Sequence, residues 1–209
     1  GRFFVSKHKS FIFVEKNKTM NKKTLYLIDA MAVIYRAFYA LNKNPRITTK
    51  GLNVSAILGF CNTLLDIIKQ YNPSHLGIAF DLQGPTFRHV QFEQYKANRQ
   101  AMPEEIKESI PYIKNIIQAM NIPLLCKEGY EADDVIGTLA KKAVNKGYEV
   151  FMVTPDKDYA QLVEENIKML KLGRGANPNE IWGVEEVLQR FEITTPLQVI
   201  DILGLWGDS

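Results

Sequence analysis

Residues 129–158, GYEADDVIGTLAKKAVNKGYEVFMVTPDKD, hold the reading that decides the fold. Apolar residues recur at helical spacing from Ala132 to Asn145, and Glu149 to Thr154 (EVFMVT) then forms a short apolar run of strand character. A helix feeding a short buried strand is the repeating unit of a parallel α/β sheet. The alternation continues on both sides. Strand-like runs fall at Thr24 to Asp29, His75 to Asp81, Pro123 to Cys126 and Ile167 to Leu172, with helical spacing over Ser55 to Tyr71, Glu104 to Met120 and a shorter stretch from Asp158. Pro103 ahead of Glu104 and Glu105 reads as a helix start with acids in its first turn. The expected architecture is α/β, three layers, with helices on both faces of a mainly parallel five-stranded sheet and right-handed crossovers. Two regions break the rhythm. Leu82 to Met102 is longer than an ordinary connection and carries aromatic and basic residues without a clean apolar face. The tail from Asn177 holds a possible short strand (EIWG) and helices at Val184 to Phe191 and from Pro196.

The chain has 209 residues, 46% of them hydrophobic, enough for one domain with a sizeable core. Its apolar stretches are interrupted well before the ~18 residues of a membrane span, so no membrane partner is expected. Cys61 and Cys126 lack the paired spacing of a disulfide framework or zinc site, which fits a reducing cytoplasm. Residues 1–19 form a basic, aromatic leader, expected to lie upstream of the true start or to be a poorly ordered extension outside a domain covering 20–209. Setting it aside removes five of the 26 basic and one of the 23 acidic residues, so the net charge of +3 becomes −1. Overall charge therefore identifies no partner.

In an open parallel sheet, ligands bind beyond the carboxyl ends of the strands. The residues read at that edge are acidic. Asp29 ends the first strand, Asp81 the second, and Asp156 and Asp158 follow EVFMVTP, while Glu131, Asp133 and Asp134 open a helix whose N-terminus faces the same edge. So many carboxylates in one crevice would repel one another unless cations neutralise them. Oxygen donors without His or Cys favour Mg²⁺ or Mn²⁺ over zinc, and two groups of acids suggest two ions. Two such ions suit phosphodiester hydrolysis. Each acid taken alone has a plainer reading: Asp29 or Asp158 as a helix cap, Glu131 and Asp133 as complements of a helix dipole.

The long loop brings the opposite charge. Arg88, Lys96 and Arg99, interleaved with Phe87, Phe92 and Tyr95, suit phosphate clamping and base stacking, although a lone basic stretch is also an ordinary solvated surface. Tyr35, about one and a half helical turns beyond Asp29, could touch a substrate or belong to the core, and Arg36 could contact DNA or lie on the surface.

LIDAMAVIYRAFYAL, AFDLQGPTFRHVQFEQYKANR, GYEADDVIGTLAKKA and TPDKDYAQL together resemble the N-terminal 5′-nuclease domain of bacterial DNA polymerase I, in the flap endonuclease group with its PIN-like fold and helical arch. The resemblance covers the chain from Met20 onward. It implies a metal-dependent 5′→3′ exonuclease and flap endonuclease that removes flaps and RNA primers, cutting by structure rather than sequence. By position, Asp29, Asp81, Glu131 and Asp133, with Asp134 beside them, would form a first metal site; Asp156, Asp158 and Asp208 would belong to a second. Lys96 and Arg99 would contact the scissile phosphate from the arch, and Tyr35 the cleaved nucleotide. The implied partners are DNA with 5′ flaps, nicks or RNA primers and a polymerase domain of the same polypeptide, with the protein a cytoplasmic monomer. Family members continue through GD-x-SDN-x-PG-x-x-GIG, of which only Gly207, Asp208 and Ser209 are present. The expectation is a domain that folds and binds metal but cleaves poorly. Two alternatives are a non-catalytic DNA-junction module and a Toprim-like site using the DxD of TPDKD.

Overall fold

The computed structural model describes residues 23–97, 100–173 and 177–206. The leader, Arg99 and Asp208 lie outside the described residues. In chain order the elements are β1 (Thr24–Asp29), α1 (Ala30–Ala40), α2 (Ser55–Tyr71), β2 (His75–Ala79), α3 (Phe87–Gln91), α4 (Glu104–Ala119), β3 (Leu124–Leu125), α5 (Ala132–Val144), β4 (Glu149–Val153), β5 (Ile167–Lys171), β6 (Glu180–Trp182), α6 (Val184–Phe191) and α7 (Val199–Trp206). Short 3-10 turns occupy Lys157–Leu162 and Pro196–Gln198.

The sheet order is β3-β2-β1-β4-β5-β6, with β1 to β5 parallel and β6 antiparallel to β5. The sheet therefore has six strands where the sequence gives five. The sixth is the possible short strand of the tail, EIW, which joins because β5 leaves an edge to pair. Order along the sheet reverses between β1 and β4, and a ligand crevice opens at such a switch point beyond the carboxyl ends.

Alternation along the strands fills two cores. Tyr26, Ile28, Phe80, Phe151, Val153 and Leu170 face α1, α2 and α4, whereas Leu27, Ala79, Val150, Met152, Ile167 and Met169 face α5 and the C-terminal helices. Burial on both faces explains why these strands read as nearly continuous apolar runs. Helices α1 and α2 meet closely at Gly59: a Cβ there would lie 2.7 Å from the Ala37 Cβ. That approach locks α1, whose N-cap is Asp29, against α2.

Candidate active site

Asp29, the last residue of β1, is the N-cap of α1: its Oδ1 accepts from the Ala32 amide at 3.1 Å and its Oδ2 from the Tyr159 hydroxyl at 3.1 Å. Burial, with the charges of Asp81 and Asp156 nearby, pushes its carboxyl up to about 6 against the two hydrogen bonds. Both donors are neutral, so the negative charge is solvated locally but not balanced. Asp81 lies two residues beyond β2, where its Oδ1 accepts from the Ala132 amide at 2.8 Å and so caps α5 from outside. Asp133 Oδ1 accepts from the Asp134 amide at 2.6 Å, and burial followed by the charges of Asp134 and Glu131 raises its carboxyl. Asp156 caps the 3-10 turn by accepting from the Asp158 amide at 3.0 Å, while its own amide donates to Thr154 Oγ1. The cap is thus Asp156 rather than Asp158. The tight turn begins at Lys157, which places Asp158 inside it.

Glu131 and Asp134 are held differently. They form a capping box at the start of α5, in which Asp134 Oδ2 accepts from the Glu131 amide at 3.0 Å. The long loop then brings cations onto both. Arg88 makes a two-pronged contact with Asp134 at 2.7 and 2.8 Å and reaches Glu131 at 3.4 Å. Lys96 Nζ donates to Glu131 Oε1 at 2.6 Å, and the Tyr95 hydroxyl donates to Oε2 at 2.9 Å. Burial alone would raise both carboxyls; hydrogen bonds from Lys96 and Tyr95 hold Glu131 below its usual range, and the Arg88 guanidinium does so for Asp134.

The loop achieves this through a small piece of helix. Thr86 starts α3, with the His89 ring returning to the Thr86 amide at 3.2 Å and to its hydroxyl at 2.9 Å. This one-turn helix aims Arg88 at α5. Further along, Lys96 takes a left-handed backbone, φ +58°, which an L residue adopts at a cost of roughly 1–2 kcal/mol. The strained residue is the one that grips Glu131.

The remaining candidates are placed as follows. Tyr35 is half-buried on the core side of α1 with its ring 6.3 Å from that of Tyr39. Arg36 donates to the Gly173 carbonyl and tethers the segment after β5 to α1. Tyr95 commits its hydroxyl to Glu131. Tyr159, which sequence reasoning passed over, is 2% exposed and its hydroxyl, pushed well above its usual range by burial and by Asp29, anchors that carboxylate. Its neighbours in TPDKDY carry the only signal that pointed to it. Among the described residues, no three His, Cys, Asp or Glu side chains converge tightly enough to hold one ion in this arrangement. The acids share one sheet edge, but the arch cations hold Glu131 and Asp134 while backbone amides engage Asp29 and Asp81.

Comparisons with known proteins agree with this architecture. Residues 24–192 match the model of the 5′-3′ exonuclease, N-terminal resolvase-like domain. The chain is 39% identical over 189 residues to DNA polymerase I of Bacillus caldotenax, covering 90% of this chain and 21% of that protein. It is 40% identical over 189 residues to the 5′-3′ exonuclease of Aquifex aeolicus, covering 90% of this chain and 62% of that protein. It therefore spans about a fifth of the polymerase relative and less than two thirds of the exonuclease. Among solved structures, the bacteriophage T5 D15 flap endonuclease, in a complex with DNA and metal ions, superposes with a TM-score of 0.64 at 16% identity, covering 89% of this chain and 67% of that one. With 169 consecutive positions matched by one family model, the chain belongs to the 5′-3′ exonuclease family through its N-terminal resolvase-like domain.

Proposed function

We propose that this chain is a divalent-metal-dependent nuclease domain, a 5′→3′ exonuclease and flap endonuclease that hydrolyses phosphodiester bonds in DNA. The observation that carries the reading is the Lys96–Glu131 contact at 2.6 Å, which sets the arch cations directly over an acidic crevice at the sheet's switch point. The relatives named above support it: one is called a 5′-3′ exonuclease, another a flap endonuclease solved with DNA and metal ions.

The donor set fits a hard cation. Asp29, Asp81, Asp133 and Asp156 offer only carboxylate oxygen, and burial, with the charges of Asp81 and Asp156 adding to it, raises the Asp29 carboxyl as expected of an uncompensated site. Mg²⁺ or Mn²⁺ held there, with Glu131, Asp134 and Asp158 contributing and Asp208 a further candidate, would lower the pKa of a bound water and stabilise the leaving oxygen. The protein's own residues do the rest. Tyr159 keeps Asp29 oriented and the α5 N-terminus holds Asp81, while Lys96 and Arg88 would exchange Glu131 and Asp134 for a substrate phosphate as negative charge grows on it, with Arg99 a further cation of the same segment. Tyr35 and Arg36 sit on α1 behind Asp29, where contact with the cleaved nucleotide requires Arg36 to yield its hold on Gly173. Substrates are then DNA with 5′ flaps, nicks or RNA primers, worked on beside a polymerase domain of the same polypeptide. Two free thiols, Cys61 and Cys126, support a reducing cytoplasm. Among the described residues no helix is long and apolar enough to cross a membrane.

The test is cleavage of a 5′-labelled flap duplex with Mg²⁺, with Mn²⁺ and with EDTA, alongside Asp29→Asn. Asparagine preserves the cap, so metal-dependent cutting near the branch should fall by about 10³-fold or more while the fold survives. Cutting that persists in EDTA, or in a folded Asp29→Asn protein, would overturn the proposal.

A further inference from the structure

Beside the crevice, the segments 82–86 and 128–130 enclose a cavity of about 270 Å³. It sits just under the ~300 Å³ at which small-molecule pockets begin, room for one planar ring rather than a whole nucleotide. The two segments are tied by the Phe87 amide donating to the Gly129 carbonyl at 2.9 Å. Both turn on glycines in the left-handed region, Gly84 at φ +119° and Gly129 at φ +78°, and a Cβ on either would meet nothing within 4 Å. The turns are set by backbone conformation, and neither glycine is needed for close packing.

The lining chemistry selects the occupant. Leu82, Pro85 and the Tyr130 ring offer apolar surface, and Gln83 and Glu128 offer hydrogen-bonding groups, with no basic side chain among the lining residues. A phosphate would meet the Glu128 carboxylate and no lining cation. An uncharged base bearing N–H groups would be accepted by Glu128 and Gln83 while its face met Tyr130. Tyr130 is 46% exposed, with the 37%-exposed Phe87 ring tilted against it at 5.5 Å. The tilted contact leaves the exposed Tyr130 ring with Phe87 behind it and room for a further ring on its open face. Its position follows from the chain: Tyr130 immediately precedes Glu131, and Phe87 precedes Arg88, whose guanidinium lies 4.6 Å over the Phe87 ring while holding Asp134. A strand whose phosphate lay at Arg88 would have its neighbouring base within reach of the cavity.

We infer that this cavity is a subsite for one unpaired base of the single-stranded 5′ arm, stacked on Tyr130 with Phe87 supporting the ring; the inference rests on the nuclease reading above. It gives the domain a way to sense that the 5′ arm is unpaired, because a base still in the duplex cannot enter.

The experiment is equilibrium binding of 5′-flap duplexes by fluorescence anisotropy in EDTA, which suppresses cleavage. Flap nucleotides near the branch are made abasic one at a time and tested with the wild-type protein, Tyr130→Ala and Tyr130→Phe. Expected is one flap position at which loss of the base weakens wild-type binding about tenfold. Tyr130→Ala should weaken binding of the intact flap by a similar factor and add nothing on the flap abasic at that position, and Tyr130→Phe should restore it. If the wild type tolerates an abasic nucleotide at every position, or if the Tyr130→Ala loss adds to the abasic loss, the subsite is overturned while the nuclease reading stands. If the wild type binds no flap DNA at all, both fall together.

Discussion

The two halves of the acidic crevice are built from the same residue types and end in opposite electrostatic states. On the α5 side, Glu131 and Asp134 accept from Arg88, Lys96 and Tyr95, and their carboxyls sit below the usual range. On the sheet side, Asp29 accepts only from neutral groups and is pushed upward, and Asp133, though in the first turn of α5, is bonded only to the Asp134 amide and is pushed up with it. One half carries its own cations; the other is held by neutral donors. Carboxylates alone therefore do not describe the site, and the arch must be counted as part of it.

The largest effect expected after loss of Asp29 comes from breaking the α5 half at Lys96. Lys96→Ala removes the closer of the two cations on Glu131, and flap cleavage should fall on the order of 10²-fold in kcat, the usual cost of deleting one preorganised charge-stabilising donor. Lys96→Gly should lose as much activity yet melt higher than Lys96→Ala, since glycine accepts φ +58° without strain. Equal melting temperatures would show that the left-handed turn is not held in solution.

The pH dependence of stability separates the halves next. Asp29 is raised from 3.8 to about 6, so in EDTA its favourable contribution is complete below pH ~4 and is lost as pH rises through about 6. The full shift corresponds to about 2–3 kcal/mol. Glu131 and Asp134 run the other way: their contribution is present above the unfolded carboxylate range and is lost as pH falls through their lowered values. Melting wild type against Asp29→Asn between pH 4 and 7.5 should show the variant gaining steadily. A pH-independent difference would mean that the Asp29 carboxyl is not raised in the folded protein.

Arg88→Ala should cost about 1 kcal/mol, shrinking with added salt because both partners are partly exposed, with side-chain accessibilities of 29% for Arg88 and 20% for Asp134. Adding Asp134→Asn should recover most of that loss in a double-mutant cycle. An additive result would mean that the two-pronged contact contributes nothing to stability.

These same contacts mark the limit of what the sequence discloses. The strands β1, β2, β4 and β5 are buried on both faces, so their residues form apolar runs, and an acid placed just beyond such a run is legible as an edge residue. Strand β6, three residues at the rim, is legible as a possible short strand, but its place in the sheet is not. What cannot be read is pairing between distant residues. Arg88 and Asp134 lie 46 positions apart, and an arginine in a basic loop looks the same whether it faces solvent or a carboxylate. The cap at Asp156 rather than Asp158 depends on where a one-turn 3-10 segment begins, a distinction finer than any periodicity. Tyr159 is the extreme case, meeting Asp29 across 130 positions from a place that reads as core.

Tyr159→Phe is accordingly the smallest and sharpest probe of the sheet half. The ring is 2% exposed and phenylalanine fills the same volume, so packing is retained and only the hydroxyl is lost. That hydroxyl favours the ionised form of Asp29, and a hydrogen bond to a carboxylate of about 1 kcal/mol corresponds to somewhat under one pH unit. The acid limb of the cleavage profile should move to higher pH by that amount, with the alkaline plateau unchanged, because at high pH Asp29 is ionised in either protein. A plateau lowered at every pH, with the limb unmoved, would instead mean that Tyr159 orients Asp29 without governing its proton. The two outcomes separate holding a carboxylate in place from keeping it charged.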